Sequence, residues 1–189
     1  MKNICLFCLF VLATTSLCAQ YRQVTLPEKP HQKGFQNYLS KDQGFWFSFE
    51  AEGASSMMEN KDNLQVAGLT FTGGYRVCEY LRIGLGFGGR YYFHNGEVRG
   101  TSSKLAMPLF VNARGNIISA NERDGVPFWS VNIGTVTKEG LYFNPTFGYS
   151  FGGLRNNFLV GISYTLSSFT QYKPHRNYHF IGVKIGYEF

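Results

Sequence analysis

No stretch of this sequence holds the roughly 20 consecutive apolar residues that a membrane-spanning helix needs. The longest apolar run, residues 4–13, is far shorter, and nothing after it comes closer. Charge is scarce too. Asp, Glu, Lys and Arg make up 16% of the 189 residues, whereas a soluble domain carries about 25%. An ordinary solvated surface is hard to build from so little.

Cysteine is almost confined to the start of the chain. Cys5, Cys8 and Cys18 lie within residues 1–19, and only Cys78 follows. The same N-terminal stretch has the three-part order of a secretory signal peptide: Lys2, the apolar run, then a short polar stretch ending at Ala19. Residues 1–19 are therefore read as a cleaved signal. Cys18 near the cleavage point raises the alternative of a lipoprotein, but Leu17 is a poor residue before a lipidated cysteine. A chain cut after Ala19 keeps one cysteine and is expected to have no internal disulfide, even in an oxidising compartment. Ligand sets for metals are also missing. His31, His94, His175 and His179 are scattered, so neither a metal nor a cofactor is expected.

What the sequence does have is aromatic residues, 17% of the total, and 22 glycines. These fall into segments of about eleven residues with a period of two, the signature of strands. In residues 81–93, Leu81, Ile83, Leu85, Phe87, Tyr91 and Phe93 share one face, and Arg82, Gly84, Gly86, Gly88, Arg90 and Tyr92 the other. The pattern occurs eight times in all. Phe45, Phe47 and Phe49 alternate with Trp46, Ser48, Glu50 and Glu52. Later segments carry Leu69 and Phe71, Leu109 and Val111, Val131 and Ile133, Phe143 and Phe147, Val160 and Ile162, and finally Ile181 to Phe189 on their apolar faces.

Two arrangements are compatible with alternation: a soluble sandwich with the apolar face inside, or a membrane barrel with that face outside. The other face is mostly Gly, Ser, Thr and Asn with isolated charges, which suits a narrow lumen better than a solvated surface. Aromatics gather toward the strand ends. Tyr75, Trp129, Tyr149, Phe158, Tyr187 and Phe189 form one level, and Tyr91, Phe93, Tyr142 and Tyr164 the other. Such girdles mark bilayer interfaces. Strands of this length, tilted by ~40°, climb roughly 28 Å, close to the ~25 Å apolar band of a bacterial barrel. The expected fold is all-β: an eight-stranded antiparallel transmembrane β-barrel over residues 44–189. Residues 20–43, with Pro27 and Pro30, are expected to form an irregular periplasmic segment. The loops 56–63, 94–104 and 169–177 and the turn 138–140 would then face outside. The turn 118–127 is long for the periplasmic side.

The stretches GGYRVCEYLRIGLGFGGRYYF, KLAMPLFVNARGNI, GLYFNPTFGYSFG and GVKIGYEF resemble the small outer-membrane β-barrel domain family of Gram-negative bacteria, over about residues 44–189. The resemblance implies location in the outer membrane and insertion by the barrel assembly machinery, with Phe189 as the aromatic assembly signal on the last strand. On function it is nearly silent.

The inward parity holds Glu50, Glu52 and Glu188 together with Arg76, Arg82, Arg90, Arg114 and Lys184. One reading is a charged gate in a pore. The other, preferred here, is a structural ion-pair network filling a lumen only wide enough for side chains. The girdle is assigned to Tyr75, Tyr91, Phe93, Trp129, Tyr149, Tyr164 and Tyr187. Ser168 and His179, on the outward parity near the outer ends of the last two strands, are the one enzymatic possibility, a lipid hydrolase with His activating Ser. No third orienting group is evident. The glycines from Gly84 to Gly89 match a dinucleotide fingerprint only by accident, since they lie inside a strand with no helix after them.

The basic, aromatic loop 171–178 could meet anionic lipopolysaccharide, or could simply be solvated. The net charge of +6 falls to +5 without Lys2. Outer-membrane lipid and lipopolysaccharide are the expected partners, and nucleic acid is not. The functional expectation is a non-enzymatic barrel with a structural or surface-interaction role. A narrow or gated transporter, a secretion accessory and a lipid-modifying enzyme are the alternatives.

Overall fold

A computed structural model describes residues 43–57, 64–93, 104–120, 125–137, 139–152, 156–169 and 176–189. The alternating segments form strands: β1 (Gly44–Ser56), β2 (Gln65–Cys78), β3 (Leu81–Tyr92), β4 (Leu105–Ala106), β5 (Pro108–Asn116), β6 (Gly125–Val136), β7 (Gly140–Gly152), β8 (Asn157–Phe169) and β9 (Arg176–Glu188). β4 and β5 are one strand position, interrupted at Met107, where Pro108 has no N–H to offer the ladder. Eight positions result, each antiparallel to the next, and β1 pairs with both β2 and β9. That last pairing closes the sheet into a barrel with no free edge. The architecture is the expected closed eight-stranded antiparallel barrel.

Strand pairing fixes the tilt. A walk around the barrel leaves β3 at Arg82 and passes Arg114, Ser130, Thr146, Ser163, Gly182, Ala54 and Val66. It returns to β3 at Tyr92, ten residues along. Ten residues at ~3.3 Å rise, against eight strands ~4.8 Å apart, correspond to a tilt of about 40°, within the range of small barrels. The two ends of the barrel strands, Gly44 and Phe189, lie at one rim with the Glu79–Tyr80 turn.

The two faces separate by chemistry. Phe47, Phe49, Leu69, Leu85, Phe87, Leu109, Phe147, Ile162 and Val183 are exposed on the outside, and Trp46, Glu50, Arg114, Asn144 and Glu188 are buried inside. Among the described residues, the outward positions between the rims carry no Asp, Glu, Lys or Arg. A charge at the midplane of a lipid-facing wall would cost ~2–4 kcal/mol. Glycine makes the interior fit: a Cβ at Gly86 would overlap the Phe110 ring, and one at Gly84 would lie 3.2 Å from the Trp46 ring. At the end of β7, Gly152 has a φ of 134°, open to glycine and rarely to other residues.

Several expectations need correcting. Tyr142 does not belong to the outer girdle; it is fully buried inside the barrel, as the parity of its neighbours Leu141 and Phe143 requires. Tyr178 is no loop residue. β9 begins at Arg176 and turns Tyr178 into the lumen. The inner face is not purely polar either, because Val66, Tyr92, Phe110, Val136, Tyr142, Tyr178 and Phe180 form an apolar cluster in it. Cys78 is disulfide-bonded, against the expectation of no internal disulfide; Cys5, Cys8 and Cys18 lie outside the described residues. Residues 1–42, including the expected signal and most of the periplasmic segment, lie outside the described residues, as does most of each expected external loop.

Candidate functional site

The lumen is where the described chain gathers its charged side chains, and they come from β1, β2, β3, β5 and β9. Glu188, the penultimate residue, is completely buried and receives three arginines. Arg76 from β2 donates at 2.8 Å, Arg114 from β5 donates to its second oxygen at 3.2 Å, and Arg82 from β3 donates as well. Arg114 also donates to Glu50, which takes a hydrogen bond from Ser48 at 3.2 Å and pairs with Lys184 at 3.5 Å. The network therefore spans the barrel rather than one strand pair.

Above it sits a layer of amides. Lys184 donates to Asn144 Oδ1 at 2.6 Å, and Asn144 in turn donates to Glu52 at 3.1 Å and to Thr165 at 2.7 Å. Ser163 and Thr165 donate to Glu52 at 2.6 and 3.2 Å. Asn132 donates to Asn144 at 3.2 Å, and Asn112 to Asn132 and Ser130. A buried charge is tolerated only when its remaining lone pairs and protons find such partners. The Thr, Ser and Asn of the inner parity fulfil that requirement.

Toward the rim away from the termini the lumen becomes aromatic. Arg90 lies with its guanidinium 5.3 Å from the Tyr142 ring centre, 5.7 Å from Phe180 and 5.8 Å from Tyr92, and donates to Ser167 at 3.2 Å. These are cation–π distances. Arg114 likewise faces Trp46 at 5.3 Å and Phe128 at 5.8 Å.

All eight lumen residues singled out from the sequence lie inside. Glu50, Arg76, Arg82, Arg114, Lys184 and Glu188 are joined directly, Glu52 joins through Asn144, and Arg90 stands apart in its aromatic surround. Sequence reasoning missed two more, Glu79 and Glu139. Both sit in tight turns, where a charge reads as solvated, yet both are buried. Glu139 accepts from the Tyr92 hydroxyl at 3.0 Å. Glu79 accepts from Ser119 at 3.0 Å and from the Ala120 backbone, which ties the long connection after β5 to the terminal rim. With them the buried described residues hold five cations (Arg76, Arg82, Arg90, Arg114, Lys184) and five carboxylates (Glu50, Glu52, Glu79, Glu139, Glu188). The balance is even. The space remaining among Arg76, Arg82, Asn116 and Asn157 amounts to about 10 Å³, room for about one water molecule.

The outer candidates fall as follows. Tyr75, Tyr149 and Tyr187 lie toward the terminal rim, where Phe45 meets Tyr75 edge-on at 5.8 Å and Trp129 faces outward; Tyr91, Phe93 and Tyr164 lie toward the other. Phe189 exchanges backbone hydrogen bonds with Phe47, and its ring packs 5.8 Å from Phe47 and 6.1 Å from Phe49, across the β1–β9 seam. Ser168 and His179 are not brought together. Ser168 pairs with Asn177 and His179 with Leu166, and the His179 Nδ1 shares a hydrogen bond with the Tyr164 hydroxyl. Among the described residues no hydrogen bond joins Ser168 to His179, and no cluster of His, Cys, Asp and Glu is placed to hold a metal.

The chain is similar in fold to Neisserial surface protein A (NspA), an eight-stranded outer-membrane barrel known from a crystal structure. The TM-score is 0.53 at 12% sequence identity, over 77% of this chain and 97% of that one. No family model matches the sequence, and no curated protein matches it. The likeness supports the outer-membrane β-barrel kind of fold, which is coarser than the family resemblance read from the sequence.

Proposed function

We propose that this chain is a non-enzymatic protein of the bacterial outer membrane, which stabilises the membrane or presents its external loops to a partner, and does not act as a channel. The observation that carries this reading is the pairing of an uncharged apolar outer wall with a lumen filled by a charge-balanced, hydrogen-bonded network. An apolar wall needs lipid to face, and a closed barrel is one of two structures that satisfy every backbone group there. A lumen packed with ion pairs offers solutes no path. Phe189, packed on the β1–β9 seam, suits the proposed role of assembly signal, and lipopolysaccharide is the proposed neighbour of the outer rim.

The enzymatic alternative loses ground because His179 spends its Nδ1 on Tyr164 rather than on Ser168. The transporter alternative loses ground because the charged side chains that would line a passage are paired across the lumen. Single-channel recording in planar bilayers tests the reading: purified barrel should give no stable conductance steps. Long-lived porin-like openings would replace it with the transporter.

A further inference from the structure

The outer wall is not uniformly convex. Between β1, β2, β3 and β5 lies a groove of about 460 Å³ lined by Phe47, Phe71, Gly73, Leu85, Phe87 and Leu109. That volume is in the range of small-molecule pockets, roughly 300–1,000 Å³. Gly73 faces outward without a side chain and leaves room at the base of the groove for the Phe47 ring, and the adjoining Gly74 and Gly86 add no side chain to it. Its walls are fixed aromatic rings. Phe47 stacks on Phe71 at 6.1 Å, Phe71 meets Phe87 at 5.6 Å, and the Phe47 ring leans over Gly73 so closely that a Cβ there would come within 3.0 Å of it. The register sets the groove along the wall: Phe47 is opposite Gly73 and Gly73 opposite Leu85, while Phe71 is opposite Phe87 and Phe87 opposite Leu109.

We infer that this groove binds one acyl chain of a phospholipid in the periplasmic leaflet, an inference that rests on the membrane reading above. Three features select that occupant. The lining has no charged side chain, so nothing in it would anchor a polar ligand. The groove is continuous with the apolar outer wall, so water is not its natural filler. It also runs from the middle of the wall down to Phe45 at the terminal rim, whose ring meets Tyr75 edge-on. If the termini are periplasmic, as the sequence reading expects, that rim lies in the inner leaflet, where the lipids are phospholipids. A flexible chain fills such a concavity without strain, and ring faces on both sides give it more contact than a flat strand surface does.

The test is photolabelling. The barrel, purified from membranes, is reconstituted in phosphatidylethanolamine–phosphatidylglycerol vesicles containing a little phospholipid with a diazirine on its acyl chain. Labelled residues are mapped by mass spectrometry after irradiation. The groove residues should take up several-fold more label than Ile162 and Val183 on the wall outside the groove, which are comparably exposed. Gly73→Leu, which fills the groove, should remove the excess and leave the wall outside it unchanged. Label spread evenly over all walls would overturn the site while leaving the barrel in its bilayer. Label excluded from the groove but present elsewhere would overturn it in favour of a second barrel seated there. Absence of label from every wall would overturn the membrane reading and the site with it. The wild-type map decides among these outcomes even where Gly73→Leu fails to fold.

Discussion

Glu188→Gln is the substitution whose consequence follows most directly from the lumen. The glutamine keeps the shape and can still accept hydrogen bonds, but it removes the one charge on which Arg76, Arg82 and Arg114 converge. Removing one partner of a buried ion pair costs about 3–5 kcal/mol, because the other charge is left uncompensated in a poor solvent for it. Here three guanidiniums share the loss, while Arg114 keeps its direct ion pair with Glu50. A loss at the upper end of that range is expected. Domain stabilities are only about 5–15 kcal/mol, so a third or more of the total is at stake. With a urea dependence near ~2 kcal/mol per molar, the unfolding midpoint should fall by roughly 2 M. Barrel reconstituted in lipid vesicles, followed by the fluorescence of Trp46 against Arg114, gives the measurement. A second substitution checks the cause. Arg82→Met in the Glu188→Gln background should restore part of the loss, with a coupling of ~0.5–3 kcal/mol as for residues in one network. A midpoint unchanged by Glu188→Gln, or no coupling to Arg82, would show that the convergence of charges contributes nothing and would refute the reasoning.

Other expectations concern the walls, the packing and the outer rim. Val183→Arg, in the middle of the exposed wall, should destabilise the barrel in lipid by ~2–4 kcal/mol, measured by the same unfolding; a neutral effect would mean that this face does not meet lipid. Gly86→Val should lower stability by about 1–3 kcal/mol, because a side chain there collides with the Phe110 ring. Adding Phe110→Ala should relieve part of that loss, and the double variant's melting temperature reads it out. Purified barrel incubated with phospholipid should release no fatty acid, and Ser168→Ala should change nothing. Release that disappears in Ser168→Ala would reinstate the hydrolase.

Much of the fold was legible because a period of two leaves little room for error once one face is apolar. Glu50, Glu52, Arg82, Arg90, Arg114, Lys184 and Glu188 all fall on the inner parity, and that parity alone puts them in a lumen. Where residue type was preferred over parity, the reading went astray. Tyr142 resembles a girdle residue because it is a tyrosine near a strand end, although its neighbours on both sides face outward. Tyr178 was read with a basic loop because the strand signal fades where Lys173, Pro174 and His175 precede it. Glu79 and Glu139 were invisible for a different reason. Burial of a turn residue depends on which mouth the turn folds over, and that is set by the closed barrel rather than by local sequence. The aromatic surround of Arg90 is of the same kind, since Tyr92, Tyr142 and Phe180 come from three separate strands. The groove over Gly73 also required the register, which brings Phe47 and Leu85 to either side of it.

The most direct test of a closed barrel with its apolar face in lipid is cell fractionation followed by gel electrophoresis with and without boiling. The protein should sediment with the outer membrane and migrate differently on the denaturing gel until heat opens the barrel. A protein recovered in the soluble fraction, with one mobility whether boiled or not, would contradict the account at its root.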